Sequence, residues 1–156
     1  MTTHVEHALE QLGLTLPQAA APVAAYVPTV VAGGLLHVSG QIPFKDGAVM
    51  TGKLGAGRDL AYGQEAARAC ALMLVAQLKA ALGGDLSRVE RIVKLGVFVN
   101  SAPDFTDQPK VANGASELME QVFGEAGRHA RSAVGVPVLP LGAAVEIDAV
   151  VQVKAG

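Results

Sequence analysis

Two long stretches of this sequence carry apolar residues at the helical period, and each runs into a stretch whose apolar residues recur at every second position. Leu60 to Leu82 sets Cys70, Met73, Leu74, Gln77, Leu78 and Ala81 on one stripe, with Asp59 in front as a cap and Gly83-Gly84 behind as a stop. Val89 to Val99 then alternates. Val93, Leu95, Val97 and Val99 take one face, and Ile92, Lys94, Gly96 and Phe98 the other. Between Pro109 and Phe123 the residues Val111, Ala115, Leu118, Met119, Val122 and Phe123 return to the helical period, and Gly124 closes that element. Two further strands follow, Arg131 to Val138 and Ala143 to Val153, joined by Leu139-Pro140-Leu141-Gly142. A chain that changes period in this way lays helices on a sheet. Right-handed crossovers put both long helices on one side of one mixed sheet, which predicts an α+β fold.

Upstream, Val27 to Ile42 reads as a hairpin around Gly33-Gly34, and Lys45-Asp46-Gly47 as a second turn. His4 to Leu14 carries Val5, Ala8, Leu9 and Leu12 at the spacing of a short capping helix. At 156 residues the chain is the size of one domain. Its 18 Gly and 8 Pro are scattered rather than gathered into a linker, so residues 1–156 form a single domain with 1–25 as an amino-terminal helical extension. Two Tyr, four Phe and no Trp leave the core to Ala, Val and Leu.

Several function classes drop out on charge and pattern. The net charge is -2 with no basic run, which argues against nucleic acid as a partner. No stretch reaches the roughly 18 uninterrupted apolar residues that span a bilayer. Residues 1–10 hold His4, Glu6, His7 and Glu10 in place of a basic and then apolar leader, and Cys70 is the single cysteine, so a soluble, cytoplasmic protein is expected. The histidines at 4, 7, 37 and 129 lack carboxylates at ligand spacing, and no metal or other cofactor is expected. The glycines at 52, 55 and 57 match neither phosphate-binding pattern, and Ser39 has no nucleophile elbow around it.

The last strand is more informative. Val145, Ile147, Ala149, Val151 and Val153 form an apolar row suited to lie under helices, leaving Glu146, Asp148, Val150 and Gln152 on the opposite face with Phe98 and Ile92. A half-apolar face with no helix to cover it predicts a contact between copies of the chain. Arg131 lies where a loop passes into a strand of small residues, so its guanidinium is expected at the sheet edge. From spacing alone, a surface arginine paired with a nearby carboxylate is the favoured reading. On neighbouring strands, Arg131 and Glu146 would make a clamp for a carboxylate next to a proton-transfer group.

Tyr26, then Ser39-Gly40-Gln41-Ile42-Pro43, Ala130-Arg131-Ser132, Leu139-Pro140 and Val145-Glu146-Ile147, taken in that order and spacing, resemble the RidA/YjgF family of enamine/imine deaminases. The resemblance covers nearly all of residues 26–153. It implies a chorismate-mutase-like α+β fold, with the mixed sheet carrying two long helices on one face and forming a homotrimeric barrel with ligand sites between subunits. It further implies that Arg131 binds the substrate carboxylate and Glu146 positions or activates water, with Tyr26, Ser39, Gly40 and Asn113 lining the site. The implied ligand is a small carboxylate-bearing imine or keto acid, and the implied chemistry is cofactor-free hydrolysis of 2-aminoacrylate-type enamines or imines to 2-keto acids and ammonia. Ala133 stands where many active members carry Cys or Thr. The alternative is therefore a non-catalytic trimer that binds small carboxylates. The ribonuclease label sometimes attached to such chains finds no support in the charge or the aromatic count.

Overall fold

The computed structural model describes residues 2–22 and 24–156. Met1 and Val23, both inside the expected extension, lie outside the described residues.

The chain opens with helix α1 (His4–Gln11), capped by Thr3 and Glu6, whose side chains each accept from the other's backbone N–H. Strands β1 (Thr29–Ala32) and β2 (Leu35–Gln41) form the hairpin around Gly33-Gly34, both at positive φ as such a tight link requires. Two short strand pairs follow: the ribbon β3 (Phe44–Lys45) with β4 (Ala48–Val49), and the pair β5 (Lys53–Leu54) and β6 (Gly57–Arg58). Helix α2 (Leu60–Ala81) starts where the Asp59 carboxylate accepts the Tyr62 N–H at 2.9 Å. Strand β7 (Val89–Asn100), helix α3 (Gln108–Phe123), strand β8 (Ala130–Val136) and strand β9 (Val145–Val153) complete the order. Strand β8 stops at Val136 because Pro137 has no N–H to continue the ladder.

The main sheet runs β1-β2-β9-β7-β8, antiparallel except for the β7–β8 pair. Leu36, Val38, Leu95, Val97, Ile147 and Val151 turn one face toward α2 and α3 and are almost fully buried. This is the mixed α+β architecture that the sequence pattern predicts. The helices meet at glycine: a Cβ on Gly114 of α3 would lie 2.1 Å from the Gln64 carbonyl oxygen of α2, so only glycine permits this approach. On the opposite face Phe98 and Val150 are half-buried, and Val30 and Val134 are exposed on the flanking strands.

One assignment of faces is corrected. Ile92 is fully buried with Leu95 rather than outward with Phe98. A bulge between Ile92 and Lys94 adds a residue to β7 relative to β9, and this resets which side chains face the helices.

Candidate functional site

Strand β8 is an edge strand, paired only with β7, and it sets Arg131 opposite Leu95 and Ala133 opposite Val97. Since Leu95 and Val97 lie under the helices, Arg131 and Ala133 point to the same side. There α3 offers residues 109, 113 and 116, which share one helix face. The Arg131 guanidinium donates through Nη1 to Asn113 Oδ1 at 2.9 Å and Ser116 Oγ at 3.1 Å, and through Nη2 to the Pro109 carbonyl at 3.3 Å. All three acceptors are neutral, and no carboxylate pairs with Arg131 among the described residues. The surface ion-pair alternative is therefore not what the fold builds. A guanidinium has about five N–H donors in a planar fork. Three are committed here, and among the described residues the Nε–H and one Nη2 N–H meet no acceptor.

Behind Arg131, His129 Nε2 lies 2.9 Å from Ser116 Oγ, and its Nδ1 lies 2.6 Å from the Gly127 carbonyl. The carbonyl can only accept, so Nδ1 carries the proton and Nε2 accepts the Ser116 hydroxyl. Burial holds the imidazole below its ordinary pKa; the Gly127 carbonyl opposes this, and the Arg131 charge adds to it. The result is a neutral histidine at the back of an open cleft of about 560 Å3 that Arg131, Asn113 and Ser116 also line.

Glu146 lies elsewhere. It pairs with Phe98 on β7, and its neighbours Val145 and Ile147 are buried, so its side chain turns to the face away from the helices. Desolvation raises its pKa, and the nearby Asp148 charge adds to the rise. Room for the carboxyl comes from β2, where a register shift between Val38 and Gln41 lets both face α2 while Ser39 and Gly40 bulge between them. A Cβ on Gly40 would stand 2.9 Å from Glu146 Oε2. Glu146, Gly40 and Tyr26 line a cavity of about 320 Å3, with Tyr26 half exposed at its side. Ser39 does not line this cavity; its hydroxyl donates to the Val27 carbonyl at 2.9 Å and so ties down the segment that carries Tyr26.

The expected clamp on neighbouring strands is thus corrected. Strand β7 lies between β8 and β9, and Arg131 and Glu146 face opposite sides of the sheet. Counted by strand spacing and by the three-residue offset along β7, they sit roughly 14 Å apart within one chain. Arg131, Asn113 and Ala133 lie together on the helix side of the sheet, and Glu146, Gly40 and Tyr26 gather around a separate cavity.

Sequence reasoning passed over Ser116 and weighed His129 only as a metal ligand, although His129 stands two residues before Arg131. It also passed over Gln77 as a partner, although an amide on the apolar stripe of α2 is itself a signal, since a buried amide needs a hydrogen-bonding group. Gln77 is 3% exposed and donates to the Ala20 carbonyl at 2.8 Å. Among the described residues no three His, Cys, Asp or Glu side chains gather as metal ligands, and no helix is long and apolar enough to cross a membrane.

Residues 6–151 match a family model described as YjgF/chorismate mutase-like, putative endoribonuclease. The chain is 61% identical to Protein TCP17 of Trypanosoma cruzi, over 94% of this chain and 92% of that one. It is 27% identical to a 2-iminobutanoate/2-iminopropanoate deaminase of Dermatophagoides farinae, over 90% of this chain and 95% of that one. A crystal structure of an Agrobacterium tumefaciens protein of unknown function superposes with a TM-score of 0.91 at 50% identity, covering 97% of this chain and 93% of that one.

Proposed function

The chain belongs to the YjgF/chorismate mutase-like, putative endoribonuclease family, and from that footing we propose that it hydrolyses small 2-imino acids, or the enamines in equilibrium with them, to 2-keto acids and ammonia. The site is shared by two copies within a homotrimer: one supplies Arg131, Asn113 and Ala133, the other Glu146, Tyr26 and Gly40, with Ser39 bracing Tyr26. The observation that carries this reading is the Arg131 guanidinium, anchored by three neutral acceptors with a side-on fork left free for a carboxylate. The name of the mite relative supports the substrate class. The half-apolar outer face supports the assembly. A single buried cysteine suits a cytoplasmic setting.

The reaction needs no redox step. Glu146 as carboxylate takes a proton from water as the water oxygen bonds to the imine carbon; the nitrogen is protonated, the carbon–nitrogen bond breaks, and ammonia leaves as the carbonyl forms. The raised pKa of Glu146 brings it closer to the working pH of a group that must both accept and return that proton. Holding the substrate carboxylate on Arg131 fixes the imine carbon relative to this water.

The test is ammonia release from 2-iminopropanoate generated in situ by an amino-acid oxidase. Arg131→Ala removes a charge-assisted pair worth about 2 to 5 kcal/mol and is expected to cut kcat/KM at least about thirtyfold. Glu146→Gln is expected to cut kcat by about a hundredfold or more. Full activity in Arg131→Ala would overturn the reading. Ligand-induced stabilisation without ammonia release would replace it by the non-catalytic binder. Sedimentation of the purified chain checks the trimer.

A further inference from the structure

Within one chain, the cavity beside Glu146 is larger than a three-carbon imino acid. It measures about 320 Å3, whereas a three-carbon imino acid fills on the order of 100 Å3 at protein packing density. The surplus is walled by apolar groups: Ala20 and Pro22 from the amino-terminal segment, Ile42 and Phe44 beyond β2, and Leu141 from the β8–β9 connection. Glu146 is the one charged residue among the described residues that line it, so a substrate carboxylate is repelled here and turns toward the Arg131 half. What enters the apolar space is the substrate's side chain.

Both sides of this space are held in place against local preference. Leu141 has φ 59, a left-handed conformation that crowds its Cβ, and it is 73% exposed at the cavity mouth. A glycine or an asparagine would relieve both features. The connection is rooted below it, where Asn100 Nδ2 donates to the Ala143 carbonyl at 3.1 Å and the Gly52 N–H to the Gly142 carbonyl at 3.1 Å. Facing it, the amino-terminal segment is pinned by Gln77, which donates to the Ala20 carbonyl and lies 3.3 Å from Gln41 Oε1. An amide buried in the helix surface thus serves a segment that has no strand or helix of its own to hold it.

We infer that Leu141 and residues 20–22 form an apolar specificity wall that selects 2-imino acids with an aliphatic side chain of three or more carbons over the three-carbon imino acid. This rests on the deaminase reading. The test compares kcat/KM for 2-imino-4-methylpentanoate and 2-iminopropanoate, each generated in situ. The wild type is expected to favour the larger substrate by tenfold or more. Leu141→Gly, which suits φ 59, is expected to keep or raise Tm while the ratio falls about tenfold. Gln77→Leu, which frees the opposite wall without opening a void, is expected to lower the ratio several-fold. A wild type with no preference, or a preference that survives Leu141→Gly, overturns the inference and leaves the deaminase reading standing. If the wild type releases ammonia from neither substrate, the deaminase reading fails, and the wall is judged by calorimetry with 4-methyl-2-oxopentanoate and pyruvate. Tighter binding of the larger acid, lost in Leu141→Gly, then supports the wall, and equal affinity overturns it.

Discussion

Around Arg131 nearly every partner belongs to a regular element, with Asn113, Ser116 and Pro109 on α3 and the arginine itself on β8. Around Glu146 most walls are connections: residues 20–22 ahead of the first strand, Ile42 between strands, and Leu141 in a turn at positive φ. On the proposed reading, these two groups serve different needs. A cation that must meet a carboxylate at fixed geometry gains from elements whose hydrogen bonds leave it one orientation. A wall that meets side chains of differing shape is more readily varied in loops, where replacement disturbs no ladder.

The contrast can be broken most forcefully at Gly114. Its replacement by Ala sets a Cβ 2.1 Å from a backbone oxygen of α2, and because no flexible side chain can give way the two helices must move apart. The variant is expected to lose about 3 kcal/mol, or roughly 6 to 12 °C in Tm, measured by thermal unfolding, and to weaken carboxylate binding as α3 carries Asn113 and Ser116 away from Arg131. At Gly40 the same change is gentler on the fold. The atoms that its Cβ would meet are the end of the Glu146 side chain, which can rotate away. Gly40→Ala is expected to change stability by less than about 1 kcal/mol while lowering kcat about tenfold, because on the proposed mechanism the carboxyl is displaced from the attacking water. If Gly40→Ala instead unfolds the protein, the adaptable half is stiffer than its loops imply.

The smallest effect is the pH dependence that separates the halves. His129 has a folded pKa below its unfolded value of about 6.5, so its contribution to stability is complete above that pH and is lost as pH falls through the folded pKa. Glu146 has a raised pKa, so its contribution is complete below its unfolded value of about 4.5 and is lost as pH rises through the folded one. Urea unfolding between pH 7 and 5 is expected to show a decline below about 1 kcal/mol that His129→Gln diminishes. Glu6 does not obscure this window, because the Lys79 ammonium at 2.7 Å and the Thr3 backbone N–H hold its carboxyl at about 2. An unchanged pH slope in His129→Gln would mean that the imidazole is not held neutral by Arg131 and burial.

Much of the fold was legible residue by residue. The stripe from Cys70 to Ala81 and the row from Val145 to Val153 gave a helix and a strand within a few residues of α2 and β9, because their periods are properties of contiguous chain. Asp59 and Gly33-Gly34 gave a cap and a turn for the same reason. Ile92 was misplaced because a bulge leaves no mark on hydropathy: the residue is apolar on either face. Arg131 and Glu146 were each noticed, but the sequence held nothing to say that β7 would lie between their strands. Ser116 and His129 were missed because a serine on a helix and a histidine at a strand start become a relay only when α3 lies across β8.

From the order of its residues alone, this chain determined where it would be helical or extended, which side of each element would be apolar, and which ionisable groups stood out. Tertiary structure alone decided strand order, the bulges in β2 and β7, and the division of Arg131 and Glu146 between two faces. The reason is physical. Periodicity follows from bond geometry over a few residues, whereas pairing partners and faces are fixed by the burial of a whole layer, to which every element contributes at once.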